Sequence, residues 1–290
     1  MKPRAGSLAS TLNVVTLRPD FGERVTFDDD QFAATLILST RSGSAVVASL
    51  THLLLSVLVA AVAGALVFLV WYPAPYDQLS GGRELFLLMM FIDVICGPLL
   101  TLVIFNSNKP KRELWRDLAL VAMIQLFALG YGLQTVWTAR PLFLVFEVDR
   151  FKVVGQPDIP EISTQALATT IRPSIFSGPT VVAVREPDDE NERQKILFES
   201  IQGGRDYAHH PEFYIFYDMA SGRRALLRSK PLSIFLNKHP SQNMIAMKLA
   251  KEKDSDVSDW LYVPVIARQD WVAVLDKQGK IQGFLKGDGF

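Results

Sequence analysis

The 290-residue chain is balanced in charge, with 30 basic and 30 acidic residues, and 49% of its residues are hydrophobic. A balanced chain gives no electrostatic indication of a nucleic-acid partner. Because Cys96 is its single cysteine, the chain has no internal disulfide and no metal centre built from cysteine clusters.

The N-terminal segment, residues 1–45, differs from everything that follows. It mixes basic residues with the acidic run Asp28, Asp29 and Asp30 and shows no sustained hydrophobic period. This composition predicts a loosely ordered cytoplasmic tail. A start site assigned too far upstream would produce the same pattern.

Three apolar runs follow, at residues 46–72, 85–105 and 118–139. No charged side chain lies between Arg41 and Asp77, the second run carries only Asp93, and the third carries none. A helix needs about 20 apolar residues to cross about 30 Å of hydrocarbon, so residues 46–139 are predicted to form three transmembrane α-helices. A cleaved signal peptide is the alternative for the first run, but its apolar core spans only about 7–15 residues behind a short basic segment.

The loops between the runs predict the orientation. The loop before the second run holds Arg83 alone, whereas the loop before the third holds four basic residues: Lys109, Lys111, Arg112 and Arg116. Basic residues in short loops stay in the cytoplasm, so the second loop is predicted to be cytoplasmic. Three spans then place the N-terminus in the cytoplasm and residues 140–290 outside, in the periplasm of a bacterium whose inner membrane holds the spans.

Asp93 is the residue that most needs explanation within the spans. At 1.5 Å per residue it lies roughly 12 Å below the outer end of its helix, at a depth that falls near Gly130 and Tyr131 on the third span. Tyr131, with Gln134 as a second donor, is therefore predicted to hydrogen-bond to Asp93. Two interpretations stay open: a neutral Asp93 that ties two helices together, or a site for a polar group on a partner's transmembrane helix.

Gly97 and Pro98 predict a kink in the second helix. Proline has no N–H to donate to the carbonyl of Val94, and its ring clashes with that turn. The same depth count places Gln125 opposite Pro98, where its amide is expected to donate to the freed carbonyl.

Small residues concentrate on the first span. They permit another helix to approach closely, and they would equally serve packing inside the bundle. The set comprises Ala60, Ala61, Ala63, Gly64 and Ala65.

After Arg140 the sequence becomes charged and punctuated by proline, and alternating patterns predict an α+β domain over residues 140–290. Strands are predicted at 142–148 and 151–154, at 214–217, and as a terminal hairpin at 271–275 and 281–285. Helices are predicted to open at 187–190 and to cover 231–237 and 241–253. Their inward positions are Ile196, Leu197 and Ile201 in the first of these helices, and Met244, Met247 and Leu249 in the last.

No arrangement in this domain indicates catalysis. His209 and His210 lie in a loop without further ligands close in sequence, which is typical of surface histidines rather than of a metal site. The serines lack a nucleophile-elbow context, and the acids at 188–192 suit a helix N-terminus. An enzymatic function, a metal and a cofactor are therefore not expected.

Residues 51–155 carry an ordered series of short motifs. It comprises 51–56, 68–73, Asp93 with 97–102, 105–106 with 109–110, 116–118, 125–126, 131–132, 139–141 and 145–151. On these motifs the chain resembles the TfpX/TfpZ family of type IV pilin accessory proteins. The resemblance implies an inner-membrane protein that supports the stability, presentation or assembly of a type IV pilin, possesses no cofactor, and contacts the pilin and other pilus assembly proteins.

The candidate structural and partner-binding residues follow from the spans and from this resemblance. They are Asp93, Gly97, Pro98, Gln125, Tyr131, Arg140, Glu147, Asp149 and Arg150. The rival interpretation is a membrane-anchored sensor with an extracytoplasmic ligand-binding domain. No output domain is present in the short predicted cytoplasmic parts, which weakens the sensor interpretation.

Overall fold

A computed structural model of the chain describes residues 29–105, 109–159, 171–201 and 206–290, without the side chains of residues 29–42, 195 and 199–201. It divides into two units, residues 1–44 and residues 45–290. Residues 1–28 of the predicted tail lie outside the described residues. From Asp29 onward the chain is helical, so residues 29–45 do not form the loosely ordered segment that their composition predicts.

Three long helices correspond to the predicted spans. Helix α1 (Asp29–Leu66) continues into a π-helical turn (Val67–Trp71), a four-residue helix α2 (Tyr76–Leu79) follows, and α3 (Gly82–Ile104) and α4 (Lys111–Thr138) complete the set. Each of the three is long and apolar enough to cross a membrane. The prediction of three apolar spans is therefore confirmed.

Helices α3 and α4 form the closest pair of the bundle. A side chain at Gly132 would collide with Met89, and one at Gly97 would collide with Gln125. These two glycines let the helices approach and fix their antiparallel register, because each receives a side chain of the opposite helix.

Behind the bundle, eight strands within the described ranges form one mixed sheet in the order β4-β3-β1-β2-β6-β7-β8, with β5 paired to β6. In chain order they are β1 (Pro141–Phe146), β2 (Phe151–Gly155), β3 (Thr180–Val184), β4 (Tyr214–Phe216), β5 (Lys230–Pro231), β6 (Leu261–Ile266), β7 (Trp271–Leu275) and β8 (Ile281–Lys286). β1 pairs with β3, and β2 with β6, in parallel, whereas the other pairs are antiparallel. The predicted α+β class is confirmed.

In the described part of the chain, four helices cover the sheet, and three of them lie where the sequence predicts a helix, whereas Met219–Leu226 was not predicted. They are α5 (Glu190–Ile201), α6 (Met219–Leu226), α7 (Leu232–Lys238) and α8 (Asn243–Glu252). β1 and β7 are buried along their whole length, because residues on both faces of these strands pack into apolar cores.

The inward face of α8 differs from the prediction. Ala246 and Ala250 are buried and Leu249 is partly buried, whereas Met244 and Met247 are largely exposed. The helix approaches the sheet with Ala246 and Ala250 inward, and Gly283 of β8 leaves room for Leu249, which places the two methionines on the outer side. Leu197 of α5 is likewise exposed, although its neighbour Ile196 packs inward as predicted.

The loop between the first two spans packs into the sheet domain. Tyr76 and Leu79 lie in the same apolar core as strand residues of β1, β2, β6 and β7. The Arg268 N–H donates to the Leu79 carbonyl at 3.0 Å. Gly81 adopts a positive φ of 72°, and a side chain there would strike Arg268. The bundle and the sheet domain are thus joined through a buried loop as well as through the α4–β1 connection.

Candidate functional site

The three spans enclose a groove of about 180 Å³ along the side of the bundle. Its walls are mostly apolar, with polar groups contributed by every helix: His52 and Ser56 from α1, Asp93 from α3 and Gln125 from α4. A dry cavity of about 150 Å³ accepts benzene, so this groove has room for one large side chain.

The Asp93 carboxylate lines this groove without a partner. Within the described ranges, no side chain or backbone N–H donates a hydrogen bond to it and no cation pairs with it. Carboxyl groups at such depth in a bilayer normally face a bundle interior and have a partner. Asp93 is therefore a polar group whose hydrogen-bonding capacity the bundle itself leaves unused.

The predicted bond from Tyr131 is wrong. Tyr131 is 75% exposed on the outer surface of α4, and Gln134 is exposed as well. The depth was nearly right, because the register of the two glycines places Leu129 level with Asp93. The predicted direction of the Tyr131 side chain was wrong. Successive residues of a helix point about 100° apart, and the face of α4 that packs inward includes Gly132.

Gln125 lies at the level that the kink argument predicts, but it bonds to a different carbonyl. Its amide donates to the backbone oxygen of Asp93 at 3.2 Å rather than to that of Val94. The Ser49 hydroxyl donates to the carbonyl of Pro98 itself at 2.8 Å. Gly97 and Pro98 are both buried, so this segment of α3 is where all three helices meet through polar contacts.

His52 is a groove residue that the sequence analysis overlooked. Its Nδ1 lies 2.5 Å from the Thr101 hydroxyl, a contact between α1 and α3. The overlooked signal was that His52 is the one histidine in the uncharged run between Arg41 and Asp77, and it belongs to the first resemblance motif.

The small residues of α1 were predicted either to let another helix approach or to pack inside the bundle, and the structure contains positions of both kinds. Ala63 is buried in the bundle, Ala60 is partly buried, and Gly64 faces the ring of Phe86. Ala61 and Ala65 are exposed on the outer side. Most of the set therefore serves packing within the bundle.

The Glu147–Arg150 segment forms the turn of the β1–β2 hairpin. Glu147 accepts a hydrogen bond from the Ala208 N–H at 3.1 Å, and burial raises the pKa of its carboxyl. Asp149 pairs with Arg150 at 2.7 Å, and that hydrogen bond holds the pKa of Asp149 below its ordinary value. Arg150 also lies 5.1 Å from the ring of Phe290, so these charges are engaged within the domain.

Arg140 lies at the connection between α4 and β1. It is only 5% exposed, and its guanidinium stacks 3.3 Å from the ring centroid of Trp137. Tyr72, from the end of the first span, donates to the Val136 carbonyl at 2.8 Å beside it. This cluster closes the end of the bundle that adjoins the sheet domain.

The described residues include no group of three or more His, Cys, Asp or Glu side chains placed to hold a metal ion. The prediction of surface histidines is wrong for His210, which is buried, bonds to Glu212 at 3.1 Å and packs on Phe213. What the groove offers is recognition chemistry: apolar walls and a carboxyl group able to accept or, when protonated, donate a hydrogen bond.

Known proteins resemble the chain along most of its length. A family model described as fimbrial assembly protein FimB matches residues 40–81. The fimbrial assembly proteins of Dichelobacter nodosus serogroups I and E1 are each 32% identical over 244 residues, covering 82% of this chain and 93% of the relative. The protein of serogroups C1 and C2 is 44% identical over 108 residues, covering 37% of this chain and 82% of that relative.

No solved structure gives a significant match. The relatives extend the similarity well beyond the spans into the sheet domain, since 82% of the chain is aligned. The chain belongs to the fimbrial assembly protein family, FimB.

Proposed function

We propose that this protein is a non-enzymatic accessory protein of type IV pilus assembly that stabilises a pilin in the inner membrane or presents it for assembly. The relatives of this chain are named fimbrial assembly proteins, which supports the general role. The narrower identification with the TfpX/TfpZ proteins belongs to this proposal. The proposed role requires neither a cofactor nor a catalytic step.

The observation that carries the mechanism is the groove with its unpaired Asp93. A pilin before assembly is a hydrophobic helix that carries a head outside the membrane. Polar side chains between transmembrane helices contribute about 0.6 kcal/mol on average and up to about 2 kcal/mol per hydrogen bond. A pilin helix seated along the groove would supply Asp93 with the partner that the bundle lacks.

The sheet domain extends the same argument to the pilin head. It is joined to the bundle by the buried Tyr76–Leu79 loop, so a pilin held in the groove would have its head beside a domain of fixed position. The basic loop before α4 favours a cytoplasmic N-terminus and a periplasmic sheet domain. One protein would then contact both parts of its client.

Photo-crosslinking in living cells tests the groove directly. Leu126 lines the groove, whereas its neighbour Phe127 is exposed on α4 outside it. Benzoylphenylalanine at position 126 is expected to form an adduct with the pilin, and the same residue at position 127 serves as the matched control. Equal adducts from both positions, or none from position 126, would contradict docking in the groove.

Deletion of the gene tests the wider role. Surface pili or the cellular level of pilin are expected to fall while other membrane proteins remain unchanged, with a plasmid copy restoring them. Unchanged piliation in the deletion strain would overturn the proposal.

A further inference from the structure

A second unsatisfied polar group lies far from the groove, at the outer end of the bundle. Only 5% of Arg140 is exposed, and its Nε and Nη1 atoms are buried without a hydrogen-bond partner. The third nitrogen of the guanidinium, Nη2, is not buried in this way. The guanidinium is therefore enclosed on most sides and retains one edge that a ligand atom can reach.

The charge of Arg140 also lacks a counter-ion. Among the described residues, no carboxylate forms a salt bridge with it, and the Tyr72 phenol is the one neighbouring group that favours its charged form. Burial lowers its pKa to about 10, so the side chain remains a cation at neutral pH. An isolated buried cation is strongly disfavoured unless an anion approaches it.

The position of Arg140 indicates which anion is available. The membrane-spanning helix α4 ends at Thr138, two residues earlier. Trp71, Tyr72 and Trp137 lie in one apolar cluster at this level, where the rings of Trp71 and Trp137 pack edge to face with their centroids 4.9 Å apart. Tryptophan and tyrosine concentrate at the depth of lipid headgroups, where the abundant anion is the phosphodiester.

We propose that Arg140 and its aromatic neighbours Tyr72 and Trp137 form a binding site for the phosphate of a phospholipid headgroup in the outer leaflet. The planar guanidinium suits phosphate oxygens, which it binds in a fork-like geometry. Trp137 holds the plane of the guanidinium by stacking, so its orientation is set before the lipid arrives. The site requires that the three helices lie in a bilayer, and it does not depend on the pilus function.

Lipid retention measured by native mass spectrometry tests the site. The full-length protein, purified in detergent, is mixed with phosphatidylglycerol, and the wild type is expected to retain one lipid that Arg140→Gln binds at least tenfold more weakly. Arg140→Lys, which keeps the charge but loses the fork, is expected to lie between them. Arg116→Gln is the matched control, because Arg116 is an exposed arginine at the opposite end of the same helix.

Two further arms use the unchanged protein, so the result does not depend on whether a variant folds. A phosphate-free galactolipid with the same acyl chains is expected not to compete with phosphatidylglycerol, and millimolar inorganic phosphate is expected not to displace it. Equal retention of the galactolipid would overturn the phosphate site. Displacement by inorganic phosphate would overturn its assignment to a lipid, and undiminished binding by Arg140→Gln would overturn the role of Arg140.

Discussion

The bundle and the sheet domain cover their apolar residues in different ways. β1 and β7 are buried at every position, whereas only 11%, 22% and 17% of an 18-residue apolar stretch in the three spans, in chain order, is buried within the protein. Their carboxyl groups differ as well. Glu147 of the domain accepts a hydrogen bond from a backbone N–H, but Asp93 of the bundle has no partner among the described residues.

The difference supports the proposed docking of a pilin helix in the groove of the bundle. The domain satisfies its core by itself, because water penalises exposed apolar surface. In the bundle, lipid solvates apolar side chains as well as another helix would, so only packing and polar contacts favour one helix arrangement over another. The unpaired Asp93 is therefore better evidence for docking than the large exposed apolar surface around it.

The largest expected effect contrasts two leucines. Leu79 is fully buried against the sheet, whereas Leu54 is 72% exposed on the first span. Leu79→Ala is expected to lower the free energy of unfolding by about 2–5 kcal/mol, because it leaves a cavity. Leu54→Ala should have little effect. Thermal unfolding of the protein in nanodiscs measures both, and equal losses would contradict the contrast between the two regions.

Substitutions at Asp93 test the difference between the bundle and the sheet domain. Asp93→Lys is expected to prevent accumulation of the protein, since an ammonium group near mid-bilayer costs about 2.5–3.5 kcal/mol on insertion scales, whereas a carboxyl group can lower its cost by becoming protonated and neutral. Asp93→Leu should accumulate normally, because no bond within the bundle is lost, yet it should reduce the crosslink from position 126 to the pilin. Immunoblotting of membranes follows accumulation. A stably inserted lysine variant, or an unstable leucine variant, would contradict the proposed environment.

Two glycines of α4 distinguish a position that packs against α3 from a position on the open side of the helix. A side chain at Gly132 would enter Met89, whereas nothing lies within 4 Å of a side chain at Gly130. Gly132→Leu is expected to destabilise the bundle by about 1–3 kcal/mol through overpacking, and Gly130→Leu should be nearly neutral. Thermal unfolding in nanodiscs distinguishes them. If both variants unfold at the wild-type temperature, α3 and α4 do not pack in this register.

The smallest expected effect is a pH dependence that arises in the β1–β2 turn. The pKa of Glu147 is raised above its ordinary 4.5 by burial, so the folded state holds this proton more tightly than the unfolded state. Its contribution to stability therefore falls as the pH rises from 4.5 through the raised value. The pKa of Asp149 is lowered from 3.8 by Arg150, so its contribution is lost as the pH falls below 3.8.

Urea unfolding at a series of pH values tests these opposite signs. Glu147→Gln is expected to remove the decline above pH 4.5, and Asp149→Asn is expected to reduce the loss of stability in acid. Glu147→Gln with an unchanged decline would show that burial of Glu147 is not its cause.

Period and composition predicted the spans and the terminal hairpin because both signals are local. They did not predict β3, although its β-branched run was available, or β6, which contains Pro264. Pro264 falls between the stretch of β6 paired with β5 and the stretch paired with β2, so no strand needs its missing N–H on that side. Such a placement depends on the assembled sheet.

At the candidate site too, the sequence predicted what depends on position along the chain but not what depends on the assembled helices. The depth of Asp93 could be counted along the chain, but which side chain faces it depends on how the helices rotate against each other. In an all-apolar helix, hydrophobicity does not mark the inward face, and Tyr131 was therefore assigned to the wrong side. Glycine alone did not mark that face either, because Gly132 packs against α3 whereas Gly130 is exposed.

The orientation of the chain across the membrane can be tested most directly by cysteine labelling. In a Cys96→Ser background, Val148→Cys places a thiol on the exposed β1–β2 turn and Arg112→Cys places one at the exposed start of α4. A membrane-impermeant maleimide added to intact spheroplasts is expected to label position 148 and to reach position 112 only after the membrane is permeabilised. Labelling of position 112 alone, or of both positions before permeabilisation, would contradict a sheet domain held outside the membrane by three spans.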